Sequence, residues 1–95
     1  MKHPFVYLLT DHYKGAFYVG VTSNLAQRIW QHKNEAVDGF TAKYGVKTLV
    51  WYAEQESMEQ AIESEKRLKK LSRSRKFGLI EQMNPEWKDL FETLE

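Results

Sequence analysis

Apolar positions in this chain recur on two periods. Residues 4–10, PFVYLLT, and 15–21, GAFYVGV, are runs of Val, Leu, Phe and Tyr, the residue types of strands, and both faces of each run are apolar enough to be at least partly covered. Four polar residues, DHYK, lie between them. Pairing residue 10 with residue 15 leaves a four-residue hairpin loop and sets Tyr7 directly opposite Tyr18. In that register the two phenols share one face with Phe5, Leu9 and Gly20, while Val6, Leu8, Phe17, Val19 and Val21 cover the other. Residues 47–54, KTLVWYAE, read as a third strand.

Elsewhere the period lengthens to that of helices. Residues 24–34 form the first, with Asn24 and Gln27 at the spacing of a capping box. The stretch EAVDGFTAKYG reads as a loop punctuated by Gly39 and Gly45. Ser57 opens a second helix, SMEQAIESEKRLKKL, with Gln60 repeating the capping-box spacing, and residues 74–83 form a third. Asn84 followed by Pro85 predicts the N-cap and first position of a last short helix through PEWKDLFETL.

Both long helices carry charge where core packing is expected. At about 100° per residue, Arg28 and His32 fall on the side of Leu25 and Ile29, and Glu65 falls within the stripe of Met58, Ala61, Ile62 and Leu68. An ionised group in a core costs several kcal/mol unless it is paired or ligates a metal. Arg28 and Glu65 could form one structural ion pair, or their stems could lie along the stripe while the charged ends reach water. Against those readings, one face of a small domain would collect Arg28, His32, Glu65 and two tyrosines, and such convergence indicates a site.

Composition narrows the chemistry. With 95 residues, 42% of them apolar, the chain is sized for one domain with one core, residues 1–95. The absence of cysteine excludes disulfides, thiol catalysis and thiolate zinc sites. The apolar run at the start is too short for a secretory signal or a bilayer span, so a soluble cytoplasmic protein without membrane attachment is expected. The net charge is only +1, but the basic residues cluster in KRLKKLSRSRK, residues 66–76, which contains no acid. Such a segment favours a polyanion, and Lys66, Lys69, Lys70, Arg73, Arg75 and Lys76 are candidate contacts to a nucleic-acid backbone.

One carboxylate without a second at useful spacing argues against a glycosidase pair, and His32 without a partnered Ser or Cys argues against acyl transfer. Phosphodiester hydrolysis fits what remains. Mg²⁺ retains several waters and takes substrate oxygens, so a single carboxylate can hold it. A guanidinium is permanently charged and suited to the charge that develops on phosphate oxygens. A phenol titrates near about 10 and needs a neighbouring cation to act as a base at neutral pH. Spacing leaves open whether Tyr7 or Tyr18 takes the proton and whether His32 shares in it.

The ordered set VYL at residues 6–8, YVG at 18–20, Arg28 and His32 on the next helix, and Glu65 in AIESEKRLK resembles the GIY-YIG nuclease family. More narrowly, it is similar to the small stand-alone members, a likeness that covers nearly the whole chain, including GFTAKYG and NPEW. The resemblance implies an α+β fold, a three-stranded antiparallel sheet flanked by helices, and metal-dependent cleavage of nucleic acid with Mg²⁺ or Mn²⁺. It implies that Tyr7 and Tyr18 activate or orient water, that Arg28 stabilises the transition state, and that Glu65 binds the metal. His32 matches a position occupied by histidine or tyrosine. Gly20 matches the motif glycine, expected where backbone or phosphate approaches closely. The first motif reads FVY, so its glycine is missing while its tyrosine is retained. Asn84 is the nearest candidate for a late site asparagine, and Lys43 and Tyr44, beside Phe40 in the Gly-bounded loop, are candidates to steer or stack on the substrate.

The expectation is therefore an endonuclease acting on DNA; nothing in the sequence reads a 2′-hydroxyl, so RNA stays open. The rival is a nucleic-acid-binding module that cleaves poorly and is targeted by a partner protein. A third reading is an interaction domain in which Arg28 and Glu65 merely pair. Oligomeric state leaves no trace in the sequence.

Overall fold

The run FVYLLT is apolar on both sides because it becomes the central strand. A computed structural model describes residues 3–34 and 45–94. Strands β1 (Phe5–Thr10), β2 (Phe17–Thr22) and β3 (Thr48–Glu54) form an antiparallel sheet in the order β2-β1-β3. Val6, Leu8, Val19 and Val50 on one face pack with Leu68, Ile80 and Trp87. Tyr7, Leu9 and Leu49 on the other pack with Leu25, Ile29 and Val46. Covering both faces this way explains why every residue from Val6 to Thr10 is buried.

Three helices supply the cover: α1 (Leu25–Lys33), α2 (Met58–Lys70) and α3 (Arg73–Met83). Each begins where a side chain accepts an otherwise unpaired amide: Asn24 from Gln27 N, Ser57 from Gln60 N and Ser72 from Arg75 N. The architecture is α+β, as expected. No helix among the described residues is long and apolar enough to cross a membrane.

Two expectations need correction. The hairpin pairs Tyr7 with Gly20 and Thr10 with Phe17, so Tyr18 lies opposite Leu9 rather than Tyr7. The loop is residues 11–16 and is held by Asp11, whose Oδ1 accepts from His12 N and Ala16 N, each at 2.8 Å. Lys14 adopts a left-handed φ of 57°, and Gly15 N donates to His12 O at 2.9 Å. Since the slip is by an even number of residues, every side chain keeps its expected face. The two phenols become diagonal neighbours.

The second correction is at the C-terminus. Asn84 ends α3 instead of starting a new helix, and only a 3₁₀ turn, Leu90–Thr93, follows. Trp87 is the competing influence. Its ring is buried against Phe17 and Phe77, its Nε1 donates to Glu81 Oε2 at 2.8 Å, and its φ of 57° takes the chain out of helix. Burial of one large aromatic outweighs a capping signal of about 1 kcal/mol. Asn84 is buried in the turn so formed: its Nδ2 donates to Lys88 O and Val50 O, and its Oδ1 accepts from Lys88 N. Val50 is the extra residue of a β-bulge, since Leu8 pairs with Trp51 and Leu9 with Leu49.

Candidate active site

Only two residues separate the end of β2 from the start of helix α1, which keeps its apolar stripe over the Tyr7 face of the sheet. Arg28 and His32 are carried there one turn apart. His32 is only 2% exposed, and its Nε2 lies 3.0 Å from the Tyr7 hydroxyl. A buried imidazole is stable in that place because it is uncharged: burial, reinforced by the charge of Arg28, pushes its pKa down to about 4. Tyr7 is fully buried, and its phenol is pushed up to about 12, chiefly by burial. Arg28, as a hydrogen-bond donor and as a positive charge, works against that shift, while Tyr18 and Glu65 add to it. Both partners of the buried bond are therefore neutral near pH 7. The hydroxyl and the imidazole Nε2 share one hydrogen bond, and Arg28 acts on the same phenol oxygen.

The phenol of Tyr7 thus senses Arg28 from α1, Tyr18 from β2 and Glu65 from α2. The rings of Tyr7, Tyr18 and His32 form a triangle with centroid separations of 6.2, 5.8 and 5.4 Å. Gly20, directly across from Tyr7, makes this possible. A Cβ at that position would lie 2.5 Å from the Tyr7 hydroxyl oxygen and 2.8 Å from a ring carbon of Tyr18. Within the protein, the group that requires the glycine is a phenol and not backbone.

Glu65 stands on the α2 stripe between buried Ala61 and Leu68, with its side chain 20% exposed. Among the described residues its ion-pair partner is Lys69, with Nζ 3.4 Å from Oε2, and not Arg28. Arg28 is half-buried, and its Nη1 donates to Gln31 Oε1 at 3.2 Å. The two groups that could have neutralised each other are thus held apart. No three metal-ligating His, Cys, Asp or Glu side chains come together among the described residues. A lone carboxylate suits a hard cation that keeps its waters and takes substrate oxygens, and so fits Mg²⁺ or Mn²⁺ rather than a zinc-type cage.

The six basic candidates separate. Lys69 and Lys76 line an open groove of about 250 Å³ with Phe17, Tyr18 and Val19. Arg73 is engaged within the chain: its Nη2 donates to Lys14 O at 2.7 Å and Gly15 O at 3.1 Å, and its guanidinium covers Phe17 and Phe77. Arg75 borders a different hollow, beside Leu71 and Gln82. Lys66 and Lys70 are exposed on α2. The amide of Asn84 is taken up by Val50 and Lys88. Lys43, Tyr44 and Phe40 lie outside the described residues.

Phe17 is a groove residue that the sequence pattern did not single out. Strand alternation puts Phe17 and Tyr18 on opposite faces, yet three consecutive β2 residues line the groove because it runs along the sheet edge. A period-2 pattern carries no signal for an edge; the clue was the position of β2 next to a basic helix.

Comparison with known proteins identifies the family. The model of the GIY-YIG catalytic domain matches residues 3–78, which take in both tyrosines, Arg28, His32 and Glu65. The solution NMR structure of the UPF0213 protein BH0048 from Bacillus halodurans superimposes with a TM-score of 0.56 at 29% identity, covering 94% of this chain and 93% of that one. No curated protein matches the chain. The motif residues stand together around Tyr7 in the matched fold, and the chain belongs to the GIY-YIG family of nuclease domains.

Proposed function

We propose that the protein is a metal-dependent endonuclease that hydrolyses phosphodiester bonds in DNA, selecting by DNA structure or only weakly by sequence. The observation that carries this reading is that Arg28 and Glu65 both act on the Tyr7 phenol, yet Glu65 pairs with the exposed Lys69 and not with Arg28. A purely structural role predicts that Arg28 and Glu65 pair with each other, whereas an anionic substrate together with a cation would use the two charges separately.

Glu65 is the residue that would hold Mg²⁺ or Mn²⁺, and the bound ion would supply Lewis-acid stabilisation of the phosphate and leaving oxygen. Arg28 binds the same phosphate and balances the charge that develops on its oxygens. Tyr7 in its resting state is a neutral phenol bonded to His32, so it orients groups and is not the resting base. Tyr18 is half-buried, borders the groove, and is the phenol that solvent and substrate can reach. The attacking water is placed on the Tyr18 side, while the Tyr7–His32 pair fixes the wall behind it.

A plasmid-nicking assay with Mg²⁺ tests the reading directly. Glu65→Gln is expected to lower the nicking rate by on the order of 100- to 1,000-fold and to leave metal-free DNA affinity within about two-fold of wild type. Wild-type protein that binds DNA and cleaves none of supercoiled, forked, single-stranded or RNA substrates would instead establish a binding module that acts with a partner protein.

A further inference from the structure

The groove between the β2 edge and helices α2 and α3 shares Tyr18 with the site above but extends away from Tyr7, Arg28 and His32. Its floor is Phe17, Tyr18 and Val19, and its rims are Lys69 from α2 and Lys76 from α3. The two lysines come from different helices, so they are not one solvated helix face. The ring of Phe17 is covered by Arg73, with Cζ 5.3 Å from the centroid, and by Lys76, with Nζ 5.8 Å away. Arg73 is itself fastened to the hairpin loop through Lys14 O and Gly15 O. The result is a pre-formed cationic channel whose shape is set by aromatic packing and not by the lysines that line it. Its volume of about 250 Å³ is below the roughly 300–1,000 Å³ of sites that enclose a whole small molecule. An open channel of that size, with two ammonium groups at its rim, suits a phosphate and the edge of its sugar.

We propose that this groove binds the backbone phosphate next to the one that is cleaved, so that the strand leaves the active site between Lys69 and Lys76. The assignment rests on the nuclease reading for the position of the cleaved bond, but the binding itself stands apart from cleavage. It divides the basic cluster by role: Lys69 and Lys76 hold the strand, Arg73 braces the channel, and Arg75 lies off the path.

The test is an NMR titration of metal-free wild-type protein with a thymidine tetranucleotide, alongside inorganic phosphate. Expected are shifts at Phe17, Lys69 and Lys76 with none at Arg75, at tetranucleotide concentrations well below those at which inorganic phosphate acts. The double variant Lys69→Met with Lys76→Met keeps the apolar stems, and its retained spectral dispersion would show that it folds. It should lose about ten-fold in tetranucleotide affinity, and its salt slope should fall by about 0.7, the loss of one single-strand phosphate contact. Arg75→Met should bind as wild type does. Shifts centred on Arg75, unchanged affinity of the double variant, or equal affinity for inorganic phosphate would each overturn the assignment. Groove shifts retained in a protein that nicks nothing would support the groove and overturn the nuclease reading alone.

Discussion

The site has two walls of unlike character, although both are built from the same hairpin and its neighbouring helices. The inner wall, Tyr7, Gly20 and His32, belongs to the central strand region and is closed to solvent. The outer wall, Tyr18, Arg28, Glu65 and Lys69, lies toward the β2 edge and keeps partial access to water. Burial makes the difference. On the inner wall desolvation drives both titratable groups into their neutral forms, His32 down to about 4 and Tyr7 up to about 12. Every formal charge of the site therefore sits on the outer wall. Among the described residues a phosphate is recognised there, and the inner wall contributes rigid position.

Stability as a function of pH exposes the inner wall, and the effect should be the largest of those that follow. Unfolded His32 titrates near its ordinary 6.5 and folded His32 near 4, so between those values the unfolded chain holds the extra proton. Its contribution is complete above 6.5 and is lost as the pH falls toward 4, by up to about 3 kcal/mol. Tyr7 acts at the other end: its folded pKa lies above its ordinary 10, so its contribution is complete below 10 and is lost as the pH rises toward 12. Urea midpoints measured from pH 4 to 11 should fall at both ends. His32→Gln, which cannot titrate, should flatten the acid limb alone. An acid limb unchanged by that substitution would mean that the inner wall is not desolvated.

Next in size is Gly20→Ala. The added methyl would meet the Tyr7 hydroxyl oxygen at 2.5 Å, and because Tyr7 is fully buried its ring has little room to yield. Overpacking of this kind costs about 1–3 kcal/mol, measurable as a lower urea midpoint. The variant should also disturb the Tyr7–His32 hydrogen bond and so weaken the acid limb described above. A neutral Gly20→Ala would show that the phenol can move, and the contrast between a fixed and an accessible wall would fail.

Much of this was legible in the sequence, for reasons visible in particular residues. Alternation placed Tyr7, Tyr18 and Gly20 on one face, and that assignment survived a slip in register because the slip was even. The capping residues Asn24 and Ser57 marked helix starts well, since that signal is local chemistry. What the pattern missed was decided by tertiary packing. Asp11 lengthened the hairpin loop through two backbone amides, and Trp87 converted an expected helix into a buried turn around Asn84. Helical spacing identified Arg28, His32 and Glu65 as misplaced charges, but not that Arg28 and Glu65 would remain unpaired with each other. Nor did composition divide the basic cluster, because only the fold shows that Arg73 faces the hairpin carbonyls while Lys69 and Lys76 face the groove.

The smallest expected effect concerns the one residue that belongs to both the outer wall and the groove. Lys69 borders the groove and pairs with Glu65 at 3.4 Å, so its ammonium competes with any cation for the carboxylate. The lysine side chain is 58% exposed, and an i,i+4 surface pair of this kind contributes only about 0.3–0.5 kcal/mol. Lys69→Met should therefore raise Mn²⁺ affinity about two-fold in the absence of nucleic acid, read from the unbound ion by electron paramagnetic resonance at low salt. The gain should shrink as ionic strength screens the pair, while His32→Gln on the inner wall should leave Mn²⁺ binding unaltered. A phosphate drawn into the groove would have the same sense as the substitution, since it would take the ammonium away from Glu65. Strand and cation would then favour each other's binding by the same modest factor, as linkage requires. Weaker Mn²⁺ binding by Lys69→Met would show that the lysine orients the carboxylate instead of competing for it.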